Sequence, residues 1–415
     1  MITYDRFTLD NGLRVVVHED RSSPLVAVNV LYDVGSRDEN PAQTGFAHLF
    51  EHLMFGGSVN IKDFDEPIQS AGGENNAFTN SDITNFYDIV PRENIEIPFW
   101  LESDRMISLA FSKKALDTQR KVVVEEFKET TLNEPYGDVW HHISEMVYTQ
   151  HPYRWPTIGL VPEHIEDAKL GDVKAFFKKH YCPSNAILTV TGNTDLAEVR
   201  ALSEKWFAPI PAGDRPVRNL VQEPQQTEMR RRELVAAVPL DAIYMCFTME
   251  SRASDGFYVA DLLSDILASG RSCRLYQRLV KELRVFSSID AYVTGTVDPG
   301  LFVVEGKPAA GVTLEAAEAA IWLELELLQK EKLGAKELQK IKNQMQSAME
   351  FSEGGILNKA NNLAFYELLG NVDLINTEAD IYEAITAEDL QATAQVLYRK
   401  ENCSVLYYRA KPENE

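Results

Sequence analysis

Residues 44–58 read TGFAHLFEHLMFGGS, and this stretch decides how the rest of the chain is interpreted. Its apolar residues recur at helical spacing, Thr44 can cap the first turn, and a pair of glycines ends the pattern. Within it, His48, Glu51 and His52 form an H-x-x-E-H motif. Because positions i and i+4 share one face of a helix, both imidazoles can reach the same ion.

The residue types of this motif indicate zinc chemistry. Zn²⁺ accepts two histidines and a carboxylate, and in catalytic sites a fourth position stays open. Glu51 is adjacent to His52 and can take a proton from a water molecule that attacks a carbonyl group. The order of residues is the inverse of the H-E-x-x-H motif. We therefore predict Zn²⁺ as the cofactor and Glu51 as the catalytic base of a hydrolase.

A third metal ligand is expected from a second helix. Residues 116–130 read LDTQRKVVVEEFKET and belong to a long helix predicted over 113–130. Three glutamates in this helix are candidate ligands: Glu125, Glu126 and Glu129. The carboxylate of Glu126 borders an apolar face, since Val123 and Phe127 lie one turn apart around it, whereas Glu129 is expected to be more solvated. Spacing alone does not choose between them.

The remaining patterns indicate a mixed α+β fold. Asp10-Asn11-Gly12 separates two apolar runs and predicts a β-hairpin. Further strands are predicted over 25–34, 76–90 and 186–191. A proline-rich polar stretch at about 209–228 is the best candidate linker.

The two halves of the chain look related. Residues 47–53 align with residues 260–266, and His180-Tyr181 aligns with Leu397-Tyr398 at a nearly equal offset. This favours a tandem duplication. We predict a catalytic zinc-binding module over 1–212, a linker over 213–228 and a second module over 229–415. The second module lacks the metal-binding residues, because all three polar positions of H-x-x-E-H are replaced in its copy.

Composition limits the classes of partner. The formal net charge of −22 argues against nucleic acid, because phosphate contacts need a basic surface. An ordinary acidic surface explains this charge, and an acidic cavity that attracts basic peptides is the alternative. The chain contains no stretch of 18 apolar residues, so a membrane-spanning helix is not predicted. The four cysteines form no C-x-x-C pair, and the N-terminus shows no signal-peptide pattern, so we expect a cytoplasmic protein, or a periplasmic one if a signal peptide has been removed.

Several segments together carry a resemblance to a known superfamily. They are FTLDNGLRVVV (7–17), the motif segment 44–58, GGENNAFTNSDITNFY (72–87), QRKVVVEEF (119–127) and FKKHYCPSNAILTVTGN (177–193). The sequence resembles the superfamily of pitrilysin, insulysin and the mitochondrial processing peptidases. The second half matches more loosely, through ASGRSCRLYQRLVKE (268–282). The resemblance implies two homologous α/β sandwich modules in tandem, each with a mostly antiparallel sheet covered by helices.

The resemblance also implies roles for individual residues. The superfamily's zinc glutamate maps to Glu126, which completes the ligand set with His48 and His52. A second acidic residue is usual seven positions earlier, where this chain has Gln119. The segment Asn76, Ala77 and Phe78 maps to an edge strand that pairs with the backbone of a peptide substrate.

A further departure concerns an arginine and a tyrosine seven residues apart, which active members carry in the second module. The equivalent stretch begins at Leu279 and ends at Ser287. Neither this alignment nor one shifted by a single residue yields an Arg/Tyr pair. Two modules make half of a closed chamber in this superfamily, so the resemblance implies that a chain of this length works as a dimer. We expect either a heterodimer with a related chain that supplies the pair, or a homodimer.

Three functions follow from these observations. The first is a zinc endopeptidase that hydrolyses peptides or unfolded segments inside a chamber formed by dimerisation. The second is a non-catalytic or peptide-binding subunit of the same fold, which would not need an intact H-x-x-E-H motif. The third is a zinc hydrolase with a non-peptide substrate, since ligands alone do not name the substrate.

Overall fold

A computed structural model of the chain describes residues 1–107 and 109–412. Its strands form two separate sheets. In chain order the strands are β1 (Asp5–Thr8), β2 (Arg14–Glu19), β3 (Leu25–Tyr32), β4 (Glu74–Thr79), β5 (Thr84–Pro91), β6 (Ala186–Gly192), β7 (Arg230–Ala236), β8 (Ala242–Thr248), β9 (Phe286–Val293), β10 (Leu301–Pro308) and β11 (Cys403–Ala410).

The two sheets repeat one topology. The first has the order β1-β2-β6-β3-β5-β4 and the second has the order β7-β11-β8-β10-β9. In each sheet one neighbouring pair is parallel, β2 with β6 and β7 with β11, and the other pairs are antiparallel. Apart from β1, each strand of the first sheet has its counterpart in the second. The predicted α+β fold of two tandem modules is confirmed.

Helices cover both sheets. They are α1 (Phe46–Phe55), α2 (Asp65–Ser70), α3 (Glu96–Ile107), α4 (Lys113–Phe127), α5 (Val139–Val147), α6 (Glu163–Glu166), α7 (Leu170–His180), α8 (Leu196–Trp206), α9 (Asp255–Ala268), α10 (Leu314–Lys330), α11 (Ala335–Ser352), α12 (Ile356–Leu369), α13 (Leu374–Ala384) and α14 (Ala387–Leu397). A π-helical turn, Lys128–Asn133, follows α4 directly. None of the described helices combines the length and the apolar character that a membrane crossing needs.

The predicted hairpin near the N-terminus is confirmed. Strands β1 and β2 pair antiparallel, with Thr8 opposite Arg14. Gly12 has a φ of +86°, in the left-handed region that glycine adopts without strain. The side chain of Asn11 accepts a hydrogen bond from the backbone N–H of Leu13, which closes the turn.

The chain forms two compact units that differ from the linear division 1–212, 213–228 and 229–415. Unit 1 comprises Met1–Thr130, Trp155–Val221 and Glu350–Thr377, and unit 2 comprises Thr131–Arg154, Gln222–Met349 and Glu378–Glu415. The strands follow the sequence order, but α12 packs on β3 and β6 of unit 1, and α5 packs on β7, β8 and β11 of unit 2. An amphipathic pattern shows that a helix covers an apolar surface, but it does not show which sheet provides that surface.

The predicted linker, 213–228, contains no helix or strand in the structure, and side chains anchor it. Arg218 donates a hydrogen bond of 2.6 Å to the carboxylate of Asp38. Further along, the carboxylate of Glu223 accepts hydrogen bonds from the three successive backbone N–H groups of residues 149–151. These contacts give the linker a defined path despite its loop-like composition.

Candidate metal centre

The helix that carries the motif is capped by a carboxylate from the preceding loop. Helix α1 begins after Gly45, whose φ is +87°. The buried side chain of Glu39 accepts hydrogen bonds from the backbone N–H of Gly45 at 2.9 Å and of Ala47 at 2.8 Å. The expectation that Thr44 caps this helix is therefore wrong, because its hydroxyl instead accepts a hydrogen bond from the backbone N–H of Leu160. When the capping group belongs to a residue outside the helix, the sequence of the helix and its first flanking residues does not reveal it.

One face of α1 is fixed by apolar packing. Leu49, Phe50 and Met54 are fully buried. The ring of Phe50 stacks on that of Tyr181, with centroids 5.2 Å apart. Because this face is held in the core, the histidine face of the helix is directed toward α4, with which α1 is in contact.

The structure brings His48, His52 and Glu126 together. The Nε2 atoms of the two histidines lie 3.2 Å apart. Oε1 of Glu126 is 3.6 Å from Nε2 of His48, and Oε2 is 3.2 Å from Nε2 of His52. Among residues 1–107 and 109–412, no other group of three or more histidine, cysteine, aspartate or glutamate side chains brings its ligand atoms close enough together to hold a metal ion.

These distances fit a tetrahedral zinc ion. Ligand atoms about 2.1 Å from a tetrahedral ion are about 3.4 Å from one another, which lies within the observed spread. Burial lowers the pKa of His48 to about 4, so its imidazole is neutral at neutral pH, the form that binds metals. The hydrogen bond with His52 lowers the pKa of Glu126, which keeps that carboxylate ionised.

The other two candidate glutamates lie away from the histidines. Glu125 is exposed and forms an ion pair of 2.6 Å with Lys128 on the helix surface. Glu129 is also exposed and lies in the π-helical turn after α4. Glu126 is placed differently because Val123 and Phe127, on either side of it, are buried and turn this side of α4 inward. The candidate ligand set is thus His48, His52 and Glu126.

The predicted catalytic base lies beside the ligands and touches the sheet. The Thr79 hydroxyl donates a hydrogen bond of 2.6 Å to Oε2 of Glu51. Burial raises the pKa of Glu51, and this hydrogen bond acts in the opposite direction. Thr79 is not among the site residues predicted from the sequence. A signal was present, since Thr79 lies two residues after Ala77 in the predicted strand and therefore shares its face.

The predicted substrate-binding residues lie on a terminal strand. Asn76, Ala77 and Phe78 belong to β4, which ends the first sheet and pairs with β5. Ala77 packs against the core, while Asn76 and Phe78 lie on the opposite, exposed face. An edge strand presents backbone groups to which an extended peptide can add.

The two positions that align with the Arg/Tyr pair are part of a core. Leu279 is fully buried and Phe286 is 2% exposed, and both belong to the apolar cluster of unit 2. In the alternative register the positions are Val280, which packs against this cluster, and the exposed Ser287. Neither pair of side chains can supply a cation and a phenol to a substrate.

The second module keeps the helix but not the ligands. Asp261 and Asp265 of α9 occupy the positions that align with His48 and His52. The Tyr382 hydroxyl donates a hydrogen bond of 2.6 Å to Asp261. This aspartate is thereby used in an internal contact of unit 2.

Comparisons with known proteins agree with this division between the modules. A family model described as "Insulinase (Peptidase family M16)" matches residues 14–159, and one described as "Peptidase M16 inactive domain" matches residues 167–345. The zinc protease PqqE of Helicobacter pylori is 32% identical over 351 residues, which are 82% of this chain and 78% of that protein. The chain belongs to peptidase family M16. The resemblance to the pitrilysin and mitochondrial processing peptidase superfamily is confirmed.

Further proteins are similar to this chain over different lengths. The crystal structure of a protease from Helicobacter pylori superposes with a TM-score of 0.94 at 27% identity, covering 99% of this chain and 100% of that one. The beta subunit of the mitochondrial-processing peptidase of Saccharomyces cerevisiae is 26% identical over 212 residues, 50% of this chain and 45% of that protein. Relatives named as zinc proteases imply Zn²⁺ in this family, and His48, His52 and Glu126 are this chain's candidate site for it.

The choice of Glu126 can be tested by metal analysis. We expect about one zinc ion per chain in the native protein. Glu126→Gln should weaken zinc binding by at least about tenfold, because it removes the anionic ligand. The matched change Glu129→Gln, one turn further along, should leave zinc binding as it was. Full zinc retention by the Glu126 variant, with loss in the Glu129 variant, would contradict the ligand set.

Proposed function

We propose that this chain is a zinc-dependent endopeptidase that cleaves extended peptides or unfolded segments. The observation that carries the proposal is the convergence of His48, His52 and Glu126, whose ligand atoms lie within 4.8 Å of one another. The carboxylate of Glu51, next to His52 in α1, is close enough to interact electrostatically with His52 and Glu126. A non-catalytic protein of the same fold needs none of these residues. The names of its relatives support a peptidase, since several are zinc proteases.

Each residue has a defined task in this proposal. His48, His52 and Glu126 hold the zinc ion. When bound, zinc supplies a Lewis acid that polarises the peptide carbonyl group. Glu51 accepts a proton from the attacking water and can then return it to the leaving amine. Strand β4 orients the substrate through backbone hydrogen bonds, which accept many sequences, while the exposed side chains of Asn76 and Phe78 are available for contacts with side chains of the peptide.

The active assembly in this proposal contains two chains. The tandem modules correspond to half of the chamber that the superfamily resemblance implies. A relative matching half of this chain is itself named as a subunit, the beta subunit of the mitochondrial-processing peptidase. The apolar, buried Leu279 and Phe286 favour a related partner chain that carries the Arg/Tyr pair over a homodimer.

Two other functions make different predictions. A non-catalytic subunit would bind peptides without cleaving them. A zinc hydrolase with a non-peptide substrate would cleave small amides or esters and leave peptides intact. The retained Glu51 and the open edge of β4 favour the peptidase over both.

A chelator experiment tests the proposed function. Zinc-loaded protein should hydrolyse a library of unstructured, internally quenched fluorescent peptides, chelator-treated protein should not, and added zinc should restore the activity. Small amide and ester substrates are tested in parallel, and their hydrolysis without hydrolysis of peptides would identify a zinc hydrolase with a non-peptide substrate. Peptide binding without hydrolysis in the zinc-loaded protein, alone and with related chains, would contradict the proposal.

A further inference from the structure

The contact between Thr79 and Glu51 joins two parts of the site that are remote in sequence. Thr79 is the last residue of β4, and Glu51 lies in the middle of α1. An ionised carboxylate can only accept hydrogen bonds, so the hydroxyl of Thr79 is the donor, at 2.6 Å from Oε2. A charge-assisted bond of this length restricts the rotation of the Glu51 side chain.

The position of Thr79 on the strand makes this contact more than local packing. Side chains alternate between the faces of a strand, so Thr79 and Ala77 point to the α1 side and Phe78 points away. The backbone of the same strand forms the edge of the sheet. Thr79 therefore belongs both to the edge that would pair with a peptide and to the hydrogen bond that orients the base.

The hydrogen bond also distinguishes the two oxygens of the Glu51 carboxylate. Oε2 is bonded to Thr79, and this is the one side-chain hydrogen bond that the Glu51 carboxylate accepts among the described residues. A base that is held by one oxygen can present the other to water in a fixed direction. Orientation of this kind increases the rate of the chemical step without changing how tightly substrate binds.

We propose that Thr79 is a positioning residue for Glu51 and that its hydroxyl sets the orientation of the base relative to a peptide bound along β4. This inference rests on the proposed peptidase function. It assigns to the hydroxyl of Thr79 a role in kcat, whereas a residue that only shapes the edge strand would affect peptide binding.

Three variants separate these roles. Thr79→Val keeps the shape and the β-branch but removes the hydroxyl, Thr79→Ser keeps the hydroxyl, and Thr8→Val makes the same change on an exposed strand position of the same sheet. The measurements are kcat and KM on a quenched peptide, zinc content, and the Kd of a fluorescent peptide for the zinc-free protein. Thermal unfolding checks each fold, and Thr79→Ala replaces the valine variant if that protein does not fold.

Thr79→Val should lower kcat by about tenfold to a hundredfold, the usual effect of losing a hydrogen bond to a charged group. Its zinc content and its peptide Kd should match those of the native chain. Thr79→Ser should recover most of kcat, and Thr8→Val should change nothing. The inference is overturned if the valine variant keeps native kcat, if serine and valine lower kcat equally, or if the loss appears in the peptide Kd.

The outcome for the native chain separates this inference from the proposed function. If zinc-loaded native protein hydrolyses peptides and Thr79→Val is equally fast, only the role of Thr79 fails. If native protein binds zinc and peptide but shows no hydrolysis above that of the chelated sample, with or without a related partner, both fail together.

Discussion

Glu51→Gln is expected to abolish peptide hydrolysis while leaving the zinc content and the fold intact. The amide has nearly the shape of the carboxylate and can still accept a hydrogen bond from Thr79, but it cannot take a proton from water. A general base contributes roughly 10²- to 10⁴-fold to the rate, so the loss should fall in this range. Single-turnover hydrolysis of a quenched peptide, together with metal analysis, measures both quantities.

The control for this experiment is Glu66→Gln, the same change at an exposed position of α2. It should keep native activity and native zinc content. Unchanged turnover in Glu51→Gln, from a preparation free of other peptidases, would remove Glu51 from the mechanism. Loss of zinc in that variant would instead show that Glu51 supports the metal site.

The second large effect concerns the assembly. We expect this chain alone to hydrolyse peptides slowly, and a related chain with an intact Arg/Tyr pair to raise the rate by about 10²- to 10³-fold. That factor is typical of a single donor to the developing oxyanion. The physical reason is that Leu279 and Phe286 are buried in the core of unit 2, so a homodimer would contain two zinc sites and no such pair.

The measurement is peptidase activity across concentrations at which the chain's own oligomer forms, with and without the related chain. A version of the related chain that lacks the arginine and tyrosine is the matched control, since it can still assemble. Vigorous hydrolysis by the pure chain would contradict the need for a partner. Equal stimulation by the control chain would show that assembly, and not the pair, is what was missing.

Much of the candidate site was predictable because its signals are local. The spacing of His48 and His52 places both on one helical face whatever surrounds the helix. The Asp10-Asn11-Gly12 turn likewise determines a hairpin from its own backbone preferences. The repeated arrangement of the two modules was visible in the alignment of residues 47–53 with residues 260–266, and both sheets have the corresponding strand order.

Other features depend on segments that only the fold brings together. Helical spacing alone left three neighbouring glutamates open, and the resemblance to the superfamily pointed to Glu126. Packing of Val123 and Phe127 places that residue at the histidines. The cap of α1 comes from Glu39 and not from Thr44, because a loop carboxylate reaches the helix end through space. Residues 131–154, from the first half of the chain, belong to unit 2, and residues 350–377, from the second half, belong to unit 1. This assignment also depends on contacts between segments that are distant in the sequence.

The residue pattern is sufficient to indicate a candidate zinc site: it has two histidines and a glutamate on one helix, a second acidic helix, and a repeat that has lost the motif. Helical periodicity and the preferences of turn residues involve only a few neighbouring positions, so they are recognisable in the sequence alone. The contact of Glu126 with both histidines and the hydrogen bond from Thr79 to Glu51 are visible only in the folded chain. Both contacts depend on distances between side chains that are far apart in the chain, and packing of the core sets these distances.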